Sequence, residues 1–339
     1  MSKIRFAVIG FGHIGKRHAE MIRRNANAEL AAVVDTNPSL KETAEKDFGT
    51  KFFTSIEELF ASDLKLDVVN ICTPNGHHAK QSILALENMC HVVCEKPMGL
   101  TKAECEQVIF QALKVSRQVF CVMQNRYSPP SAWLKSLVNE KRFGKIFMVQ
   151  VNCYWNRDDR YYKKGGWKGL YALDGGPLFT QFSHFIDIMY WLFGDIQDIN
   201  ARFENFNHAS STEFADDSGI VNFHFVNGGI GCINYTTSVW DKNLESSITI
   251  IGENGSVKVG GQYMDKVEVC NIKDYTMPEL APVNPPNDYG AYKGSAANHH
   301  YVIDNVVDTL QGKSTITTNA LEGLKVVDII ERIYQQIKR

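Results

Sequence analysis

Over its first third the chain alternates short, nearly continuous apolar runs with segments of helical apolar spacing. The runs at 4–9, 30–34, 68–71, 91–94 and 119–123 predict strands, with a weaker one at 52–53. Helices are predicted over 14–24, 39–48, 56–60, 77–88 and 102–116, the second opened by a Ser39 cap. Uniformly apolar strands separated by helices indicate a parallel, doubly wound sheet covered on both faces.

The pattern changes at Arg126-Tyr127-Ser128-Pro129-Pro130. After one more helix at 132–141, strands dominate: 146–155, 199–206, 220–226, 231–239, 247–251, 256–259 and 266–272. Asn227-Gly228-Gly229 and Glu253-Asn254-Gly255 read as hairpin turns between them. One apolar helix, 178–193, is embedded among the strands and is expected to be buried between the domains. Two further helices, 298–310 and 320–338, close the chain after a Pro-rich loop at 277–286. The expectation is an α/β domain over 1–124, then an α+β domain over 125–339 with a large, mainly antiparallel open sheet.

At 339 residues the chain exceeds the size at which single cores usually stop growing, which agrees with two domains. A net charge of −2, with no run of five or more like charges, makes no electrostatic case for nucleic acid or an anionic membrane. Eight cysteines occur without a Cys-x-x-Cys pair, so no metal is expected. The N-terminal residues enter a strand directly, without a secretory apolar stretch, and no apolar run approaches the length of a membrane span. A cytoplasmic protein with reduced thiols is expected.

Candidate chemistry begins at Gly10-Phe11-Gly12-His13-Ile14-Gly15, which follows a strand and opens a helix. Gly10 permits the tight turn, Gly12 lets backbone amides approach a pyrophosphate, and Gly15 lets helix and strand pack closely. The helix N-terminus adds amides and a positive dipole end. Asp35 ends the next strand at the spacing the fingerprint requires. Its carboxylate would accept from an adenosine ribose and repel a 2′-phosphate, favouring NAD over NADP. The first domain is thus expected to be a Rossmann domain binding NAD.

Two later runs, Ile71-Cys72-Thr73-Pro74-Asn75 with His78 and Cys94-Glu95-Lys96-Pro97, resemble motifs of the Gfo/Idh/MocA family of NAD(P)-dependent oxidoreductases. The second half adds Gly175-Gly176 and His184-x-x-Asp187, so the resemblance spans the whole chain. The segment from Tyr161 to Gly176 is similar to bacterial UDP-N-acetylglucosaminuronate 3-dehydrogenases, which act in surface-polysaccharide synthesis. The resemblance implies that Cys72, Thr73, Pro74, Asn75 and His78 lie near the cofactor. It sets Glu95 and Lys96 by the nicotinamide, with Lys96 reaching the reacting hydroxyl. Asn125 and Arg126 would border the ring and the substrate. Trp167 and Lys168 stand where a Trp-Arg pair usually contacts the cofactor diphosphate, and Lys168 lacks the bidentate fork of arginine. Thr180, followed by Gln181, replaces the usual Asp or Asn and supplies no carboxylate.

Hydride transfer from a secondary alcohol needs an aligned carbinol hydrogen, a base for the hydroxyl proton and a donor for the developing oxyanion. His184 is read as the base and Lys96 as the polarising partner, with the exchanged roles left open. Asp187, on the same helix face as His184, either orients the imidazole or forms a local salt link. The segment Asn156 to Lys164 offers Arg157, Lys163 and Lys164 to a diphosphate or carboxylate, or is a solvated loop. Tyr161 stacks on a base or sugar, or belongs to the core. The adjacent pairs His77-His78 and His299-His300 do not share a helix face and are not read as metal ligands.

The expected function is oxidation of a secondary hydroxyl, best the 3-hydroxyl of UDP-N-acetylglucosaminuronate. An inositol or free-sugar dehydrogenase is the alternative, and a non-catalytic NAD-binding sensor or scaffold the rival of another class. Alternation in Asn222-Phe223-His224-Phe225-Val226 marks a half-exposed sheet. With the family resemblance it implies a homodimer or homotetramer through that sheet.

Overall fold

The computed structural model describes residues 2–290 and 292–337; the remainder, including the last residue of the terminal helix expected to reach 338, lies outside the described residues. The chain divides into two compact units, Met1–Met123 with His299–Val327, and Gln124–Asn298 with Asp328–Arg339. In this division the segment 299–327 groups with the first unit. Local pairing explains this. The helix His299–Leu310 packs on the helix His13–Arg24, and the Cys121 N–H donates to the Thr318 carbonyl at 3.0 Å.

The first unit holds six strands: β1 (Ile4–Ile9), β2 (Ala28–Val34), β3 (Lys51–Phe53), β4 (Val68–Ile71), β5 (His91–Cys94) and β6 (Val119–Cys121). They form one parallel sheet in the order β3-β2-β1-β4-β5-β6. β1, β4 and β6 are buried at nearly every position, as strands covered on both faces must be. The order reverses between β1 and β4, the crevice where doubly wound sheets bind ligands. Register pairs Val34 with Ile9, Ile9 with Ile71, and Ile71 with Cys94. Asp35, Gly10, Cys72 and Glu95 are therefore each the first residue past one common line of strand ends.

The helix expected over 39–48 is a 3₁₀ turn, Pro38–Leu40, continued by the helix Lys41–Lys46. Its cap is Asn37, whose side chain accepts from the Ser39 N–H at 3.1 Å, and not Ser39. Pro38 at the first helical position, lacking an N–H, moves the start forward.

The second unit is built on a seven-stranded sheet: β7 (Ile146–Tyr154), β8 (Ile196–Glu204), β9 (Ser218–Phe225), β10 (Ile230–Thr236), β11 (Glu245–Gly252), β12 (Gly255–Gly260) and β13 (Lys266–Ile272). Its order is β13-β12-β11-β7-β10-β9-β8, antiparallel except where β10 lies parallel to β7. A short pair, β14 (Pro286–Asp288) and β15 (Lys293–Ala296), follows the Pro-rich loop. One sheet face carries Val149, Val151, Val221, Phe223, Ile233, Ile248 and Ile250 into the core. Trp155 anchors that core, meeting Phe182 and Phe185 edge-on with centroids 5.6 and 5.8 Å away while its indole N–H donates to Ser246 Oγ at 2.7 Å. Among the described residues no helix is long and apolar enough to cross a membrane.

The helix expected as one piece over 178–193 is two, Pro177–Thr180 and Ser183–Phe193. Hydrogen bonds that hold the intervening residues elsewhere account for the break. The Phe182 N–H reaches back to the Pro177 carbonyl, the Thr180 hydroxyl bonds to Asp174, and the Gln181 amide donates to the Tyr161 hydroxyl at 2.8 Å. Apolar content alone cannot register such a break.

Candidate active site

At the sheet's reversal point, Gly10 turns with φ +86°, and a Cβ there would stand 2.7 Å from the Cys72 carbonyl oxygen. Both facts demand glycine. A Cβ on Gly15 would collide with the Gly10 carbonyl, so helix and strand approach closely only without a side chain. Gly12 caps the helix His13–Arg24, and no side chain caps that end. A Cβ on Gly12 meets no protein atom within 4 Å, so packing within the protein does not require this glycine. Phe11 and His13–Ile14 complete the turn; Phe11 is buried edge-on against Phe48 and donates its N–H to Asp35 Oδ2 at 2.7 Å. Asp35 Oδ1 accepts from the Asn37 N–H at 2.9 Å. The carboxylate is thus fixed across two loops, and each oxygen keeps a lone pair for another donor.

The loop after β4 holds Cys72, Thr73 and Pro74 half-buried and Asn75 buried. His78 ties this loop to the turn after β5. Its Nδ1 lies 2.7 Å from the Pro97 carbonyl oxygen and its Nε2 2.8 Å from that of Thr73. Burial lowers its pKa although both carbonyls favour the protonated ring. Lys96 is half-buried and precedes a cis bond to Pro97, while Glu95 beneath it is buried. Glu95 bonds to His18 and contacts His299. Sequence reasoning missed His18 and set His299 aside as half of an adjacent pair. A signal existed for His18, which sits in the stripe Gly15, His18, Ala19, Ile22 where only apolar residues are otherwise found.

In the second unit the residues after β6 form a buried turn of Gln124, Asn125 and Arg126. Gln124 Nε2 lies 3.3 Å from His184 Nε2 on the helix Ser183–Phe193. Asp187, one turn along, receives Arg126 in a fork, Nε to Oδ2 at 2.9 Å and Nη2 to Oδ1 at 2.6 Å. The guanidinium also lies over Trp191, 5.2 Å from its centroid. Asp187 therefore makes a salt link, to an arginine on another element. Both Asn125 side-chain polar atoms are buried without a partner among the described residues. The Thr180 hydroxyl donates to the Asp174 carboxylate, so a buried acid does stand at this point, supplied from six residues earlier, and sequence reasoning missed it.

The cationic segment is ordered by aromatic rings. Arg157 is 3 % exposed, donates to the Asn156 and Lys293 carbonyls and Asn243 Oδ1, and lies over Trp155, Tyr161 and Tyr292 at 4.7–5.1 Å. Lys168 stands over Tyr161 at 3.8 Å and donates to the Tyr292 hydroxyl at 2.7 Å. Burial, then the Arg157 charge, lower its pKa to about 8. Tyr161 is buried, Trp167 is half-buried and Lys163 is exposed.

A model of the oxidoreductase family's NAD-binding Rossmann fold matches residues 4–123, and one of its C-terminal α/β domain matches 135–339. The chain belongs to the Gfo/Idh/MocA oxidoreductase family. Solved structures similar to it include the WlbA dehydrogenase of Bordetella pertussis in complex with NADH and UDP-GlcNAcA, 31% identical, covering 98% of this chain and 96% of that one at TM-score 0.87. The Chromobacterium violaceum WlbA dehydrogenase, also with NADH and UDP-GlcNAcA, is 33% identical over 99% and 94%, at TM-score 0.88. Glucose-6-phosphate 3-dehydrogenase of Bacillus subtilis is 26% identical over 99% of this chain and 96% of its own length. NAD fits the residues present. The Gly12 position that protein packing leaves open is the one a pyrophosphate must approach, and the amides of the uncapped helix end point there.

Proposed function

We propose that this enzyme oxidises a secondary hydroxyl of a sugar with NAD, and that its substrate is UDP-N-acetylglucosaminuronate, attacked at the 3-hydroxyl. The observation that carries this reading is the match over nearly the full length of both chains to two dehydrogenases holding NADH and UDP-GlcNAcA. The name of the Bacillus relative, a 3-dehydrogenase, supports the position oxidised.

NAD, when bound here, would supply the hydride acceptor. The amides of Gly10 to Gly15, with Trp167 and Lys168, would hold its diphosphate, and Asp35 would take the ribose hydroxyls, which disfavours a 2′-phosphate. Cys72, Thr73, Pro74, Asn75, His78 and Glu95 line the nicotinamide end. The unpartnered Asn125 amide supports its assignment beside the ring. His184 takes the hydroxyl proton while Lys96 donates to the developing oxyanion; the reverse assignment uses the same atoms. Lys163, the exposed cation, would meet the sugar's anionic groups and Thr180 would border it, while the buried Arg126, Arg157, Tyr161 and Gln181 would hold that lining in place. The chain acts as a homodimer or homotetramer through the outer face of the seven-stranded sheet.

Thermal melting with NAD, NADP, UDP, UDP-N-acetylglucosaminuronate, glucose 6-phosphate and inositol, followed by NADH absorbance, tests the reading. Stabilisation by UDP and NADH formation with the UDP-uronate are expected. Turnover of inositol or glucose 6-phosphate alone overturns the substrate, and NAD stabilisation without turnover of any sugar favours the sensor.

A further inference from the structure

Beneath Lys96 lies a buried polar cluster that the nucleotide fingerprint does not call for. Glu95, His18 and His299 are 7 %, 1 % and 2 % exposed. Glu95 Oε1 lies 2.9 Å from His18 Nε2 and 3.4 Å from His299 Nε2, and its Oε2 accepts the Lys96 backbone N–H at 3.2 Å. Asn70 of β4 adds its amide, Nδ2 standing 2.8 Å from His18 Nδ1. An unprotonated Nε2 would set its lone pair against those of the carboxylate. Both rings therefore present an N–H to Glu95. The rings meet edge-on, centroids 5.5 Å apart, so each limits the other's rotation.

A carboxylate enclosed this way would ordinarily take up a proton, because burial disfavours its charge. Burial does push Glu95 upward. The His18 and His299 hydrogen bonds outweigh it and hold the carboxyl well below its ordinary value; burial also lowers the His299 pKa, so that ring acts through its N–H near neutral pH. The other groups acting on the cluster are Arg17, next to His18, together with Lys96, His78, Cys72 and Cys94.

We propose that His18 and His299 are positioning residues: they keep Glu95 a carboxylate that grips the Lys96 backbone N–H and so fixes where the lysine side chain begins. A protonated Glu95 has one acceptor fewer and a hydroxyl to place, and Lys96 loses its anchor. The inference rests on the reading of Lys96 as the group at the reacting hydroxyl.

The test compares His299→Gln, which keeps an N–H near the place of Nε2, with His299→Asn, which is too short to reach. Chains labelled with ¹⁵N-lysine report the Lys96 amide directly, without substrate. In the unsubstituted chain that resonance should stay still between about pH 5.5 and 8, and in His299→Asn it should titrate as Glu95 takes up a proton. Turnover of the Asn variant should fall about tenfold toward the acid end, matching one unit of pKa displacement into the range, with NAD affinity within about twofold. His299→Gln should restore both. A folded Asn variant whose Lys96 resonance does not titrate overturns the proposal, as does a Gln variant that behaves like Asn. If the resonance titrates but Lys96→Met turns over normally, the clamp stands and the catalytic reading of Lys96 fails.

Discussion

Lys96 follows the shared line of strand ends by one residue beyond Glu95, so its backbone is set by the sheet register and by the Glu95 carboxylate. Lys96→Met keeps most of the side-chain volume and removes the ammonium. Turnover should be abolished while the melting temperature and NAD affinity are retained; calorimetric NAD titration beside an NADH assay checks this, and normal turnover removes the mechanism. Asp216 makes a different statement. Burial, with the neighbouring Asp217, raises its pKa to about 7 against the lowering effect of its bond from Tyr235. The folded state therefore holds a proton that the unfolded state releases near 3.8. Stability from this group is complete below that value and is lost as pH rises toward about 7. Asp216→Asn should flatten the pH dependence of the melting temperature across that window; an unchanged slope contradicts it. Lys96, His184 and the glycines were legible as residues because motif spacing marks them. Asp174 beside Thr180 was not, because that bond spans a turn and leaves no periodic trace.

Elements were most readable where local signals agree. Thr101 caps the helix Lys102–Lys114 in a full capping box with Glu104, and the helix begins where sequence spacing sets it. Thr101→Ala should cost about 1 kcal/mol, read as a lower denaturation midpoint, while Lys102→Ala at the next position should cost far less. The hairpins at Gly228-Gly229 and Gly255 were legible for the same reason: both residues of the first turn have positive φ. The broken helix at 177–193 was not. Its pattern is apolar throughout, so no period separates a continuous helix from two short ones, and the break is set by bonds to Asp174 and Tyr161 from outside the segment.

For the whole molecule, the seven-stranded sheet leaves an outer face with Met148, Ile220, Ile230 and Ile251 at 39–55 % exposure. Apolar side chains spread over adjoining strands favour self-association, and we expect a dimer or tetramer by light scattering at micromolar concentration. Ile220→Lys should shift the population toward monomer, and a native chain already monomeric contradicts the expectation. The sequence alone determined the two kinds of sheet, the nucleotide turn and the residue types able to move a proton, since these follow from local period, glycine sterics and side-chain chemistry. Only tertiary structure decided that 299–327 joins the first unit, that Arg126 is held by Asp187, and that two histidines distant in sequence enclose Glu95. Those pairings depend on burial, which strengthens charges and hydrogen bonds between residues far apart in sequence. No spacing along a chain encodes which of its polar groups will meet where water is excluded.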